Sequence, residues 1–252
     1  MAEVLTDKVI VITGAAEGIG YAIADSFLEK NPKAVIILDI NEKLGAESAQ
    51  TLNSKYGGKK AVYIKCDVTT DLEAVSKEIF DRYKTVDVLV NNAGITDEKL
   101  VRKTVALNVT AVLEWTFKFW EHMRKDKGGN GGTIINVSSI CGYRRDQFLP
   151  VYKATKHAVM GFTRTIGHTF NYDLTGVRVV ALCPGFTKTS LASKDRITVD
   201  PAIIRHYINY MKNTCPWQNP DSVGKAAAEV YEKGASGTAW EIEGGKPIVE
   251  VP

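Results

Sequence analysis

The chain has 252 residues, 44% of them hydrophobic, enough to bury a substantial core in an α/β protein of this length. Its 32 lysines and arginines against 29 aspartates and glutamates leave a formal charge of +3, which gives no reason to expect nucleic acid or an anionic membrane as a partner. No apolar run approaches the roughly 18 residues of a membrane span, the run at 9–12 is too short for a secretory leader, and the four cysteines (Cys66, Cys141, Cys183, Cys215) include no CxxC pair, so a cytoplasmic protein with reduced thiols is expected.

Strand-like runs alternate with helical patterns along the chain. Residues 8–13 are β-branched and end in glycines, and 22–28 carries helical spacing at Ala22, Ile23 and Phe27. A second buried strand is predicted at 34–38, then a polar helix over 42–56 closed by Gly57-Gly58. A third strand at 61–66 precedes a helix at 72–83, and 87–90 is a short fourth strand. Residues 101–123 read as one long helix. Val105, Val109 and Val112 mark one apolar side and Leu107, Ala111, Trp115 and Phe119 another, so burial on two sides is expected. The glycine-rich loop 127–132 ends this unit. A fifth strand at 133–137, a helix at 152–170 and a sixth strand at 177–183 follow, then helices at 201–211 and 221–233 and a last strand at 238–242. The alternation predicts an α/β fold: a doubly wound, Rossmann-type parallel sheet of about seven strands with helices on both faces. One domain is expected over 1–252, with a substrate lid at about 186–219.

Thr13-Gly14-Ala15-Ala16-Glu17-Gly18-Ile19-Gly20 joins the first strand to the first helix. Glycines there let the backbone turn tightly and approach a pyrophosphate, and the helix N-terminus offers free amides. A glycine triplet alone is a weak signal; the flanking strand and helix supply the required context. Asp39 ends the second strand, where a carboxylate accepts from adenosine ribose hydroxyls and repels a 2′-phosphate. No arginine adjoins it and Glu17 adds negative charge, which favours NAD over NADP. Asp67-Val68, after the third strand, is placed to hold an adenine ring. Asn91-Asn92-Ala93-Gly94, after the fourth, is placed to line the groove and stabilise the sheet edge.

Tyr152 and Lys156 stand four apart and share one face of a predicted helix. An ammonium near a phenol favours the phenolate and lowers a tyrosine pKa from about 10, which suits a base working near neutral pH. Ser138 and Ser139 end the fifth strand, where a hydroxyl can bond a substrate oxygen beside that tyrosine.

With these motifs in this order, the chain resembles the short-chain dehydrogenase/reductase family from about residue 8 to 246, most strongly its insect alcohol dehydrogenase and 15-hydroxyprostaglandin dehydrogenase branch. The resemblance implies that Tyr152 is the acid/base, that Lys156 lowers its pKa and bonds the nicotinamide ribose, and that Ser139 polarises the substrate oxygen, leaving Ser138 structural. It implies that Asn108 holds a water relaying protons to Lys156. Gly14, Gly18, Ile19 and Gly20 would cradle the pyrophosphate. Asn92, Ala93 and Gly94 would flank the adenosine groove. Pro184, Gly185, Thr187 and Thr189 would fix the nicotinamide carboxamide. Family members pair their two long helices across a two-fold axis, which implies a homodimer, with a tetramer possible.

The expected reaction is oxidation of a small-molecule alcohol, since an NAD-type Asp39 points to an oxidised cofactor pool. An NADH-linked carbonyl reductase and a catalytically silent binding or storage protein are the alternatives. Residues 142–149 should wall the pocket. The prostaglandin branch carries a substrate-binding glutamine three residues before its tyrosine, whereas this chain has Leu149, which argues against prostaglandin oxidation itself. Leu191, Ile203, Ile204, Tyr207, Tyr210, Met211 and Trp217 on the lid either suit a lipophilic alcohol or simply pack the lid. Arg144 and Arg145 could meet a substrate carboxylate, but read better as an exposed loop pair. His157 points about 100° from Lys156, and the other histidines (His122, His168, His206) show no metal-ligand spacing, so no metal is expected.

Overall fold

The computed structural model describes residues 4–192 and 200–252; residues 1–3 and the 193–199 stretch of the expected lid lie outside the described residues. Seven parallel strands, β1 (Val9–Thr13), β2 (Ala34–Asp39), β3 (Ala61–Lys65), β4 (Val88–Asn91), β5 (Gly132–Val137), β6 (Val177–Pro184) and β7 (Ala239–Ile242), stand in the order β3-β2-β1-β4-β5-β6-β7. An eighth, β8 (Val249–Glu250), pairs antiparallel with β7. It adds one strand to the expected sheet of about seven: two exposed residues near the C-terminus carry no buried pattern to read.

The buried strands alternate between two cores, as period-two geometry requires. Ile10 and Ile12 of β1 and Val35 and Ile37 of β2 face one core, against α1 (Gly18–Leu28), α2 (Glu42–Tyr56) and α9 (Pro220–Lys233). Val9, Val11, Ile36 and Leu38 face the other, against α3 (Leu72–Tyr83), α5 (Ala111–Met123) and α6 (Pro150–Ile166). Trp115 and Phe119 of α5 are almost fully buried there. The indole of Trp115 donates to Val68 O at 2.9 Å, so it also fixes the turn after β3. Truncating such a side chain costs about 3–5 kcal/mol.

Two helices differ from expectation. Residues 101–123 are helical throughout, but α4 (Val101–Val105) and α5 are joined by one π turn, Ala106–Thr110. The expected helix at 152–170 ends at Ile166, and α7 (Thr169–Thr175) restarts after His168. A side chain on Gly167 would come within 2.5 Å of Val179 O, so packing against β6 breaks the helix there. The helix α8 (Pro201–Asn213), in the stretch expected to form a lid, is capped by Asp200, whose carboxylate accepts from Ala202 N at 2.7 Å.

The chain order reverses direction between β1 and β4. In such sheets the crevice outside the carboxyl ends of those strands receives ligands.

Candidate active site

A cleft of about 650 Å³ opens along the carboxyl ends of the strands. The catalytic and cofactor-binding residues named from the sequence line it, except Gly20, Asn91 and Asn108. At one end lies the glycine loop. Gly14 has φ +62 and Gly18 φ +61, a region that L side chains rarely adopt. A Cβ on Gly14 would also come 2.8 Å from Ala93 Cα. Gly20 sits behind the loop, where a Cβ would meet Gly14 O at 2.4 Å. No side chain caps the N-terminus of α1, so its first amides are free to meet an anion.

Loop and strand ends are stitched together. The Asn92 amide donates to Thr13 O at 3.0 Å and Gly14 O at 2.9 Å, and the Thr13 hydroxyl accepts from both Asn92 N and Ala93 N at 3.0 Å. Asn91 does not serve a sheet edge. It is buried between β4 and β5, donating to Thr116 and Asn136 at 2.9 Å. Asp39 accepts from Ala16 N at 3.0 Å and Asn41 N at 2.9 Å, so two main-chain amides hold its carboxylate at the cleft. Asp67 accepts from Thr69 N and its hydroxyl, at 2.9 and 2.6 Å, beside Val68. Glu17, Asp39 and Asp67 all line this end, while the cations lining the cleft, among the described residues, are Lys103 and Lys156.

The other end gathers Ser139, Tyr152 and Lys156, each less than one-tenth exposed. The Ser139 hydroxyl accepts from Cys141 N at 3.1 Å and donates to Pro184 O at 3.4 Å. Lys156 Nζ lies 5.6 Å from the Tyr152 ring centre and donates to Val137 O at 2.8 Å. Ser138 donates instead to Lys156 O at 3.1 Å, clasping α6 to β5. Beside them stand Pro184 and Gly185, whose amide donates to Ile242 O at 2.8 Å. Thr187 donates to Gly185 O at 2.9 Å, and Thr189 packs against Gly18. Ile19 completes the loop side. Asn108 lies behind this wall in the π turn. Its amide bonds Ile95 O and Ile95 N at 2.8 and 2.9 Å and the Thr155 hydroxyl at 3.2 Å.

Electrostatics at this end differ from the expectation of a lowered Tyr152 pKa. Burial dominates and raises the Tyr152 pKa, with Cys141 adding to it and the Ser139 hydroxyl opposing. Burial likewise pushes Lys156 down to about 8. The phenol therefore holds its proton at neutral pH.

Glu98 went unnoticed in the sequence. It is buried, and its two carboxylate oxygens accept from Val151 N and Tyr152 N, both at 2.9 Å. It thus caps the helix that carries the tyrosine, whose own N-cap residue, Leu149, offers no acceptor. Its charge also meets the positive end of the α6 dipole. The sequence signal was indirect: a Leu-Pro helix start needs a cap from elsewhere. Arg144 is not a free loop cation. It bonds Glu243 at 2.8 and 2.9 Å and Glu241 at 2.6 Å, tying the pocket loop to β7. Arg145 is exposed, and His157 is exposed with Nδ1 on Lys153 O at 2.9 Å. Of the lid residues, Leu191 and Tyr207 line the cleft, Tyr210, Met211 and Trp217 pack in an apolar cluster with Phe148 and Leu149, and Ile203 faces solvent. Among the described residues there is no cluster of three or more His, Cys, Asp or Glu placed to hold a metal, and no helix long and apolar enough to cross a membrane.

Comparison with known proteins places the site in context. The family described as short chain dehydrogenase matches residues 8–200. The 15-hydroxyprostaglandin dehydrogenase [NAD(+)] of Homo sapiens is 39% identical over 186 residues, covering 73% of this chain and 70% of that one. Alcohol dehydrogenase 2 of Ceratitis capitata is 31% identical over 238 residues, covering 92% and 90%. The crystal structure of levodione reductase superposes with a TM-score of 0.82 at 23% identity, over 96% of this chain and 98% of that one, which shows the shared fold.

Proposed function

The chain belongs to the short-chain dehydrogenase family and is an oxidoreductase of it, and on that premise we propose that it is an NAD-dependent alcohol dehydrogenase oxidising a lipophilic alcohol to a carbonyl. One observation carries the reading: Ser139, Tyr152 and Lys156 converge on a cleft whose far end holds a glycine cradle and a braced Asp39.

The residues present fit a dinucleotide. A Cβ at Gly14 would fill the cradle, the first amides of α1 have no side-chain cap, and Asp39 stands where ribose hydroxyls would meet it. Gly14, Gly18, Ile19 and Gly20 would hold the pyrophosphate. Asp67, Val68, Asn92, Ala93 and Gly94 would flank the adenosine, and Pro184, Gly185, Thr187 and Thr189 the nicotinamide. NAD over NADP is supported by the acidic lining, by the absence of any lining arginine among the described residues, and by the NAD(+) in the human relative's name. The bound nicotinamide supplies the hydride acceptor.

In this reading Ser139 holds the substrate oxygen, and the alcohol passes its hydroxyl proton to the Tyr152 oxygen as its carbon gives up hydride, leaving a carbonyl. Lys156, cationic below about pH 8, stabilises the phenolate that oxidation requires. Asn108 positions α6 through Thr155, whose hydroxyl donates to Tyr152 O at 2.7 Å, and offers a site for a proton-relaying water. Because burial raises the Tyr152 pKa, oxidation rises with pH through the neutral range, as more of the base form becomes available. The same shift favours a second reading, NADH-linked carbonyl reduction, which uses the protonated phenol and falls over that range.

A single domain, a cytoplasmic location and a homodimer belong to the same proposal. Half-exposed Val101 on α4 and Phe117 on α5, the latter edge-on to Phe162 of α6 with ring centres 5.5 Å apart, offer an apolar face for the two-fold partner. The test is NADH formation across a panel of lipophilic alcohols with NAD and with NADP. Turnover with NAD, rising with pH, is expected; a preference for NADP or a flat pH profile contradicts the reading.

A further inference from the structure

We propose that the Tyr207 hydroxyl is a second hydrogen-bonding point for the substrate, selecting alcohols that carry another oxygen, as hydroxyl or carbonyl, besides the one oxidised. The proposal rests on the reading of the cleft as an alcohol-oxidising site.

From the sequence, Tyr207 either suits a lipophilic alcohol or packs the lid. In the structure it is 5% exposed and lines the same cleft as Ser139 and Tyr152, contributed by α8. Its ring is held edge-on by Phe148, with centroids 5.1 Å apart and planes at 61°. It shares an apolar cluster with Cys141, Leu149, Tyr152 and Met211. Its hydroxyl has no hydrogen-bond partner among the described residues. The other tyrosines whose hydroxyls are drawn into the protein do have partners: Tyr56 bonds Asp25 O and Tyr63 bonds Asp39 O, both at 3.0 Å, and Tyr143 bonds Glu241.

Among the described residues the buried side-chain nitrogen or oxygen without a partner is Trp120 Nε1, so the Tyr207 hydroxyl is not sealed in the protein. It opens on the cleft without a protein partner, where a ligand oxygen can replace water. Burial raises the Tyr207 pKa, and Cys141 and Tyr152 beside it act in the same sense, so the group is a neutral hydroxyl able to donate or accept. Leu149 and Phe186 of the lining pack in its cluster, and Ile140 and Leu191 add apolar surface to the same cleft. In such a pocket a few polar groups set the orientation of the ligand. Ser139 and Tyr152 take the reacting oxygen, which leaves Tyr207 for a different one. Diols and hydroxyketones meet this requirement, and simple alkanols do not.

The experiment compares cyclohexanol with the three positional isomers of cyclohexanediol, using NAD, wild type and Tyr207→Phe. The phenylalanine keeps the ring and its contact with Phe148. Wild type is expected to prefer at least one diol in kcat/KM, and the variant to reduce that preference by about tenfold, the worth of one hydrogen bond between neutral groups. Lack of any diol preference in wild type, or an unchanged preference in the variant, overturns the proposal. If wild type oxidises neither these alcohols nor any of the lipophilic panel, the alcohol dehydrogenase reading fails separately. Calorimetric binding of the diols to the NAD-loaded protein then decides the role of Tyr207: weaker binding to the variant supports it, and equal binding overturns it.

Discussion

The two ends of the cleft are built by different means. At the glycine-loop end the backbone does the work: left-handed glycines, free helix amides, and an Asp39 carboxylate braced by Ala16 N and Asn41 N. At the tyrosine end side chains from distant segments meet: Ser139 after β5, Tyr152 and Lys156 on α6, Glu98 before α4, and Tyr207 on α8. A backbone cradle suits a ligand part that is the same in every turnover. A wall of packed side chains can be altered by substitution without disturbing the sheet, which is how one fold comes to serve many substrates.

That contrast predicts different costs for breaking each end. Gly14→Ala should be the most damaging to cofactor binding: the left-handed backbone and the approach to Ala93 leave no room for a methyl, and NAD affinity measured by calorimetry should fall about a hundredfold. A near-normal affinity would mean the cradle is not where the dinucleotide sits. At the other end, Glu98→Ala strips two buried amides of their acceptor. It should cost about 1–3 kcal/mol in denaturant unfolding and lower kcat more than it raises the KM for NAD, with Glu98→Gln recovering part of the loss. Equal effects on kcat and on the KM for NAD would reduce Glu98 to a general stabiliser. Asp39→Ala should lower the preference for NAD over NADP about tenfold, with little effect on turnover once cofactor saturates. The smallest effect belongs to Arg144→Ala. Its ion pairs with Glu241 and Glu243 are part-exposed, so unfolding should register about 1 kcal/mol or less.

The same division explains what could be read in advance. Gly14, Asp39 and Asn92 make their contacts close to the first two strand ends and the turn between β1 and α1, so strand, turn and helix signals located them. Tyr152, Lys156 and Ser139 were legible through their spacing and the resemblance it carries. Glu98 was not, because an acid in Thr96-Asp97-Glu98-Lys99 looks like solvated surface until α6 is laid against it. The π turn around Asn108 hides inside an unbroken apolar pattern, and the break at Gly167 depends on β6, far along the chain. Local propensity reports neither. The Tyr152 pKa was misjudged for a related reason: spacing reveals the ammonium, while burial, the larger effect, follows from the packing of the lid and pocket loop.

The most direct test of the account is NADH formation by Tyr152→Phe against wild type on an accepted alcohol, with NAD binding to both proteins measured separately. A loss of about a thousandfold in kcat by a variant that still binds NAD is the predicted result; turnover close to wild type would contradict the role given to the Tyr152 hydroxyl.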